Sequence, residues 1–227
     1  MAFMKIVIRI GGAVVASPPN PKLLSEYADL LMDLRRRGHE LIVVVGGGSV
    51  ARDFIEMARE MGLSEPKQDE VAISVTRLFA QLLALKLGDL AAERIPKLVG
   101  EAVSLLKNGK IVVMGGVKPG MTTDAIAAMI AEEIRADLLV KATDQNGIYT
   151  KDPKKYLDAK KIDTLSFDDL LQLFEEDRHK VGIHQILDPE AVRTLQRKRT
   201  KTIIVNGFKP ENVTLVVKGE KVGTIIQ

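Results

Sequence analysis

The sequence predicts an α/β protein, a three-layer α/β/α sandwich around a mostly parallel central sheet. Three observations predict it. Short runs rich in valine and isoleucine recur along the chain, longer helical patterns lie between them, and the first three well-defined runs each end in glycine. Parallel strands need crossover connections and are buried on both faces, so this alternation implies helices above and below the sheet. At 227 residues and 46% hydrophobic content the chain can bury a full core, and a single domain over 1–227 is expected.

The strands are expected at Ile6–Ile10, Leu41–Val45, Lys110–Met114, Leu138–Lys141 and Thr202–Val205, with a closing strand at Val222–Ile226. The first long helix begins near Asn20-Pro21 and carries Leu23, Leu24, Tyr27, Leu30, Leu31 and Leu34 on one stripe. It ends in Arg35-Arg36-Arg37 before Gly38. An asparagine cap, a first-turn proline, a basic last turn and a terminal glycine all agree with that span. The stretch Glu70–Leu87 is more thoroughly apolar, with Val71, Val75, Leu78, Phe79, Leu82, Leu83 and Leu85, and suits either the core or a second subunit. After Asp152-Pro153 the chain turns polar before helices at about Ser166–Glu176 and Pro189–Lys198. No internal repeat or low-complexity linker interrupts this order.

Composition excludes several function classes. Lysine and arginine total 33 against 30 acids, and the net charge of +3 gathers into no basic block, which argues against nucleic-acid binding. The absence of cysteine removes disulfide scaffolds, thiol catalysis and thiolate metal sites. His39, His179 and His184 have no partner at metal-ligand spacing, so no protein-held metal is expected, and His184 reads as a loop or packing residue. The N-terminus enters a strand pattern directly, and no apolar run approaches the ~18 residues that span a bilayer. A soluble, cytoplasmic protein without membrane contact is the expectation.

The chemistry gathers at the glycine turns: Gly11-Gly12 after the first strand, Gly46-Gly47-Gly48 after the second and Gly115-Gly116 after the third. In a parallel sheet these fall on the carboxyl edge, where open α/β sheets bind ligands. Glycine lets backbone N–H groups approach a phosphate with no Cβ in the way, and the helices starting near Ser49 and Thr122 aim their positive ends at the same place. Tight turns alone would explain any one cluster, but less well all three. Gly46-Gly47-Gly48-Ser49-Val50-Ala51 fits a dinucleotide fingerprint only loosely, since it follows the second strand, and no P-loop pattern occurs. A kinase of small phosphate-bearing or carboxylate-bearing substrates is the reading that results.

The segment from Gly116 to Asp124 supplies a lysine, two hydroxyls, free amides and a carboxylate within nine residues. Asp124 reads either as the group that orients cations around a transferring phosphoryl or as a first-turn acid favoured by the helix dipole. The segment Lys141–Pro153 resembles a nucleotide loop, with Tyr149 either stacking on a base or packing internally.

Taken in order, Gly11-Gly12-Ala13-Val14, Val43–Arg52, Met114–Ala125, Lys141–Pro153 and Ile186–Val192 resemble the amino acid kinase superfamily. The branch they resemble most is the archaeal type of uridylate kinase. The likeness runs over essentially the whole chain. It is most specific at Pro119-Gly120-Met121-Thr122-Thr123-Asp124-Ala125 and Asn146-Gly147-Ile148-Tyr149 through Asp152-Pro153.

The resemblance implies transfer of the γ-phosphate of ATP, with Mg2+, to UMP, with an acceptor-binding part at about 1–142 and an ATP-binding part at about 143–227. It places Gly12, Ala13, Gly48 and Arg52 on the ATP phosphates, and Thr143, Tyr149 and Asp152 on the adenosine. Gly47, Asp69 and the run Val117, Lys118, Pro119, Gly120, Met121, Thr122 and Thr123 fall to UMP, and Asp124 becomes the organising aspartate. It also implies a homohexamer built as a trimer of dimers. Four positions depart from the family pattern. Ala13 stands for the usual serine, Asp144 and Asn146 read as if exchanged, Met121 replaces a more polar residue, and Arg9 stands where other branches carry a lysine. Arg9 supplies charge to the phosphates or is a solvated edge residue. Other acceptors (an isoprenoid phosphate, a carbamate, an acylated amino acid) and a non-catalytic nucleotide-binding protein remain alternatives.

Overall fold

The computed structural model describes residues 3–176 and 187–227. His179 and His184 lie outside the described residues. Strands β1 (Lys5–Ile10), β2 (Glu40–Val45), β3 (Val112–Met114), β4 (Leu138–Thr143), β7 (Thr164–Leu165), β8 (Thr202–Asn206) and β9 (Thr224–Ile226) form one sheet in the order β3-β2-β1-β4-β8-β9-β7. All neighbours are parallel except β8 and β9. Strands β5 (Ile148–Tyr149) and β6 (Lys161–Ile162) pair separately as an antiparallel ribbon.

Helices α1 (Gly12–Val15), α2 (Pro21–Arg36), α3 (Gly48–Glu60) and α4 (Glu65–Leu87) connect the first strands. Helices α5 (Val99–Leu106), α6 (Thr123–Ile134), α7 (Phe167–Glu176), α8 (Pro189–Lys198) and α9 (Glu211–Val217) complete the chain. Alternation along β1 explains the layers. Ile6, Ile8 and Ile10 face a core shared with α2, α4 and α9, whereas Val7 faces a second core formed by α5, α6, α7 and α8. Each buried isoleucine contributes about 2 kcal/mol of hydrophobic stabilisation. The α/β/α sandwich expected from the sequence is the observed fold.

Helix α2 has the expected limits, with the Asn20 side chain accepting from Leu23 N at 3.0 Å. Helix α4 starts five residues before Glu70, because Ser64 and Pro66 open its first turn ahead of the apolar stretch. Val75, Phe79 and Leu83 pack into the core, while Leu78, Leu82 and Leu85 remain 54, 47 and 71% exposed. One expectation is corrected here. Residues 65–90 are, by length and composition, apolar enough to cross a bilayer. Arg77 and Lys86 break its apolar stretch into short runs while leaving its mean hydropathy high. A core helix with a second apolar face has this composition.

Candidate active site

Strands β1, β2, β3 and β4 end side by side, so their following turns share one edge. The Gly11–Ala13 turn and the Gly46–Gly48 turn meet backbone to backbone. A Cβ on Gly12 would run into the Gly48 backbone, and Gly48 has φ +58°. Glycine at these positions therefore serves close approach as well as access. Gly11 N and Gly46 N extend the sheet by donating to Ala142 O and Ile10 O. The amides of Gly12, Ala13, Gly47 and Gly48 donate to no protein acceptor among the described residues. They form the kind of concave amide cluster that takes anions. Ser17 locks the arrangement, accepting from Ser49 N at 2.5 Å and donating to Gly12 O at 3.3 Å.

Between these turns and α6 lies a charged cluster. Arg9 and Lys141 are register partners on β1 and β4, so their side chains leave the same face of the sheet, toward α6. Asp124, in the first turn of α6, meets both: Arg9 Nε at 2.8 Å and Lys141 Nζ at 2.5 Å. The Arg9 contact is an ion pair without hydrogen-bond alignment, and Arg9 Nη2 donates to Thr123 Oγ1 at 2.9 Å. The three side chains are 16, 3 and 12% exposed for Arg9, Lys141 and Asp124. Arg9 is thus no solvated edge residue: β1 is an interior strand and the guanidinium is held over the site.

Burial alone would raise the Asp124 carboxyl. The charges of Arg9 and Lys141, with the Asp188 backbone amide, outweigh it and hold the carboxyl below its ordinary value. Lys141 is also shifted down, but here burial wins: only partly offset by Asp124 and reinforced by Arg9, it brings the ammonium down to about 8. Arg9 and Lys141 thus bring two cations to a nearly closed part of the edge, set against the Asp124 carboxylate that pairs with both and the Asp188 carboxylate that also acts on Lys141.

The loop from Gly115 to Thr123 lies against α4. A cavity of about 320 Å³ is lined by Asp69, Ala72, Ile73 and Thr76 of α4, and by Gly116, Lys118 and Gly120–Thr123 of the loop. Asp69 Oδ2 accepts from Gly120 N at 2.8 Å, so this carboxylate shapes the loop itself. Thr122 caps α6, accepting from Ala125 N at 3.0 Å, and donates to Asp188 Oδ2 at 2.6 Å. Val117 and Pro119 belong to the same loop without lining the cavity, and Gly47 approaches it from α3 through Thr76.

The remaining sequence-identified residues stand apart from that cavity. Arg52 is exposed on α3 and has no polar partner among the described residues. Thr143 is buried at the end of β4, Tyr149 lies on the β5–β6 ribbon, and Asp152 accepts from Lys154 N at 2.9 Å in the turn beyond it. Asp144 accepts from Lys154 Nζ at 2.9 Å; burial raises its carboxyl, but the Lys154 hydrogen bond and charge bring it below its ordinary value. Asn146 Oδ1 accepts from Asn206 Nδ2 at 2.8 Å.

Sequence reasoning gave no role to Lys141, Asp188, Thr76 or Arg77. A lysine inside the apolar run of β4 was the available signal for Lys141, since a strand buried on both faces has no solvent in which to place a charge. No local signal marks the others, whose partners lie 39 to 66 residues away in the chain.

The sequence model of the Amino acid kinase family matches residues 4–206. The chain is 43% identical over 226 residues to a uridylate kinase of Methanocaldococcus jannaschii, covering 99% of this chain and 100% of that protein. It is 40% identical over 221 residues to a uridylate kinase of Methanobrevibacter smithii, covering 97% and 98%. The crystal structure of uridylate kinase from Archaeoglobus fulgidus superposes with a TM-score of 0.88 at 39% identity, covering 99% of this chain and all of that one. A UMP kinase of Bacillus anthracis, 23% identical, shares the fold with a TM-score of 0.81 over 100% of this chain and 97% of that one. With a family match over most of its length and relatives this similar over nearly all of it, this chain belongs to the amino acid kinase family.

Proposed function

We propose that the chain transfers the γ-phosphoryl group of ATP to UMP, giving ADP and UDP. The observation that carries the reading is the position of Arg9, Asp124 and Lys141 between the free amides after β1 and β2 and the cavity beside α4. The choice of uridylate as acceptor rests on the likeness to archaeal uridylate kinases over nearly the whole chain.

Phosphoryl transfer asks mainly for alignment of two substrates and neutralisation of the charge on the moving group. In this reading the amides of Gly12, Ala13 and Gly48, with the exposed Arg52, receive the ATP phosphates. Thr143, Tyr149 and Asp152 border the adenosine. Gly47, Asp69 and the loop Val117–Thr123 receive UMP. Ala13 keeps the backbone amide that a serine would also offer, so its missing hydroxyl leaves that cradle intact. Arg9 and Lys141 supply positive charge where the phosphoryl group passes, and Asp124 holds both cations in place. The acceptor part takes in about residues 1–142 and the donor part about 143–227, with β4 as the strand between them.

Magnesium fits the site as a partner of the nucleotide. Among the described residues no group of three or more His, Cys, Asp or Glu side chains could hold a metal, and Asp124 is already engaged by two cations. The ion would thus be held mainly by phosphate oxygens, where it lowers the charge of the triphosphate. The exposed stripe of Leu78, Leu82 and Leu85 supports self-association through α4, within the hexamer, a trimer of dimers, that the family resemblance implies.

A coupled assay for ADP release with ATP, magnesium and a panel of UMP, CMP, dUMP and small carboxylates tests the reading. Release dependent on UMP is expected. Release confined to another acceptor, or none despite ATP binding, would contradict it.

A further inference from the structure

Asparagine is followed by glycine three times in the chain, at Asn108-Gly109, Asn146-Gly147 and Asn206-Gly207. At such a step the glycine amide nitrogen can attack the asparagine side chain, because the residue that carries it has no Cβ to hinder the approach. The fold treats the three glycine amides differently. Gly109 N donates to Leu106 O at 3.1 Å and closes the turn after α5, and Gly207 N donates to Thr143 O at 2.7 Å and continues the pairing of β4 with β8. Gly147 is buried, yet its N–H donates to no protein acceptor among the described residues. A buried amide without an acceptor is uncommon, and here it directly follows an exposed asparagine.

The surroundings favour reaction at this step over the other two. Asn146 Oδ1 accepts from Asn206 Nδ2 at 2.8 Å, so a donor already rests on the oxygen that gains negative charge when its carbonyl carbon is attacked. Gly147 has φ +148°, and a Cβ there would lie 2.5 Å from Thr224 Oγ1, so the position demands the glycine that leaves the nucleophile unhindered. The chain beyond it is anchored: Ile148 N donates to Thr224 Oγ1 at 2.8 Å and Ile148 pairs with Ile162. Asn206, by contrast, is a strand residue of β8, and its Oδ1 accepts from Phe208 N at 2.9 Å.

We propose that Asn146-Gly147 is a site of spontaneous covalent modification, deamidation, in the folded chain, selected by the unengaged Gly147 amide. The Gly147 nitrogen gives up its proton and bonds to Asn146 Cγ, the Cγ–Nδ2 bond breaks, and Nδ2 leaves with the proton as ammonia. Water then adds to one of the two carbonyls of the succinimide that results. Cleavage at Cγ gives aspartate at position 146, and cleavage at the main-chain carbonyl carbon gives isoaspartate. Water is the sole co-reactant, and nothing is oxidised or reduced. Either product places a new carboxylate close in sequence to Asp144, whose own carboxylate is already paired with Lys154.

Incubation of the full chain in mildly alkaline buffer, folded and in guanidinium chloride, followed by mass spectrometry of its peptides, tests this. In the folded chain Asn146 should convert about tenfold faster than Asn108 or Asn206, the scale of the one backbone hydrogen bond that each of their glycine amides must first release. In denaturant the three steps, each with glycine next, should converge to similar rates. Asn146→Ser should stop the folded chain from gaining its acidic form on isoelectric focusing. Asn108 or Asn206 converting as fast as Asn146 in the folded chain would overturn the proposal. So would an Asn146 that stays intact in the folded chain and converts only in denaturant. The same ratio of rates in both conditions would overturn it as well, by making sequence neighbours rather than the free amide the cause.

Discussion

On the α4 side of the sheet edge, the loop Gly115–Thr123 is gripped by side chains that are buried or partly so: Thr76, Arg77, and Arg9 through Thr123. On the far side of β4, the chain from Asp144 to Asp163 depends on more exposed pairs. Lys154 meets Asp144 at 2.9 Å, Lys151 meets Asp158 at 2.7 Å and Lys161 meets Asp163 at 2.8 Å. The two regions differ in what water does to their polar contacts. Pairs withdrawn from water hold a geometry and are costly to break, whereas surface pairs are screened and contribute little. The proposed acceptor side is therefore preformed, and the proposed donor side rests on contacts that salt and substitution disturb only slightly.

The largest effect expected from breaking this contrast is at Asp124. Asp124→Asn removes the carboxylate that pairs with both Arg9 and the nearly fully buried Lys141. Turnover should fall by about 100-fold or more, and unfolding free energy by about 3 kcal/mol, because an uncompensated buried charge remains. Steady-state kinetics and denaturant titration measure the two. Unchanged turnover would leave Asp124 as a helix-start residue only.

Lys141 gives the next effect, and its two consequences have opposite signs. Its ammonium is brought down to about 8 in the folded chain, from an ordinary 10.5. Between those values the unfolded chain holds the extra proton, so this group's contribution to stability rises with pH through that window. If its charge serves the transfer, activity instead falls as pH rises past about 8. A pH profile of kcat/KM should show an alkaline limb there, and Lys141→Arg, which stays charged, should remove that limb. A profile flat to pH 9.5 would place the charge outside the reaction.

The smallest effect belongs to the exposed side. Lys154→Ala should change stability by less than about 1 kcal/mol and leave the affinity for UMP as it was. A thermal melt with added salt checks this. A larger loss, or one insensitive to salt, would show that the 144–163 segment is held as firmly as the loop on α4.

The same contrast explains what could be read from the sequence. Strand order along the chain, the glycine turns and the α2 caps are local patterns, and the structure has them within a few residues of where the pattern places them. Asp124 stood out because a carboxylate follows two threonines at a helix start. Arg9 stayed ambiguous, since its character depends on whether β1 is interior, which only the sheet order settles. Helix α9 and the antiparallel pairing of β9 depend on how the chain returns to the sheet. Arg77 and Thr76 act across about 40 residues on backbone atoms, whose positions no residue pattern records. The 144–163 region is legible mainly through family likeness, because its polar turns carry no periodicity.

The division of the edge into two sides is tested most directly by titrating UMP and ATP separately into Asp69→Ala and Asp152→Ala. Asp69 supports the loop on α4 through Gly120, and Asp152 shapes the turn after the β5–β6 ribbon begins. Asp69→Ala should weaken UMP by about tenfold and spare ATP, and Asp152→Ala should weaken ATP and spare UMP. If either substitution weakened both nucleotides alike, the two sides would be one site and the division of labour would be contradicted.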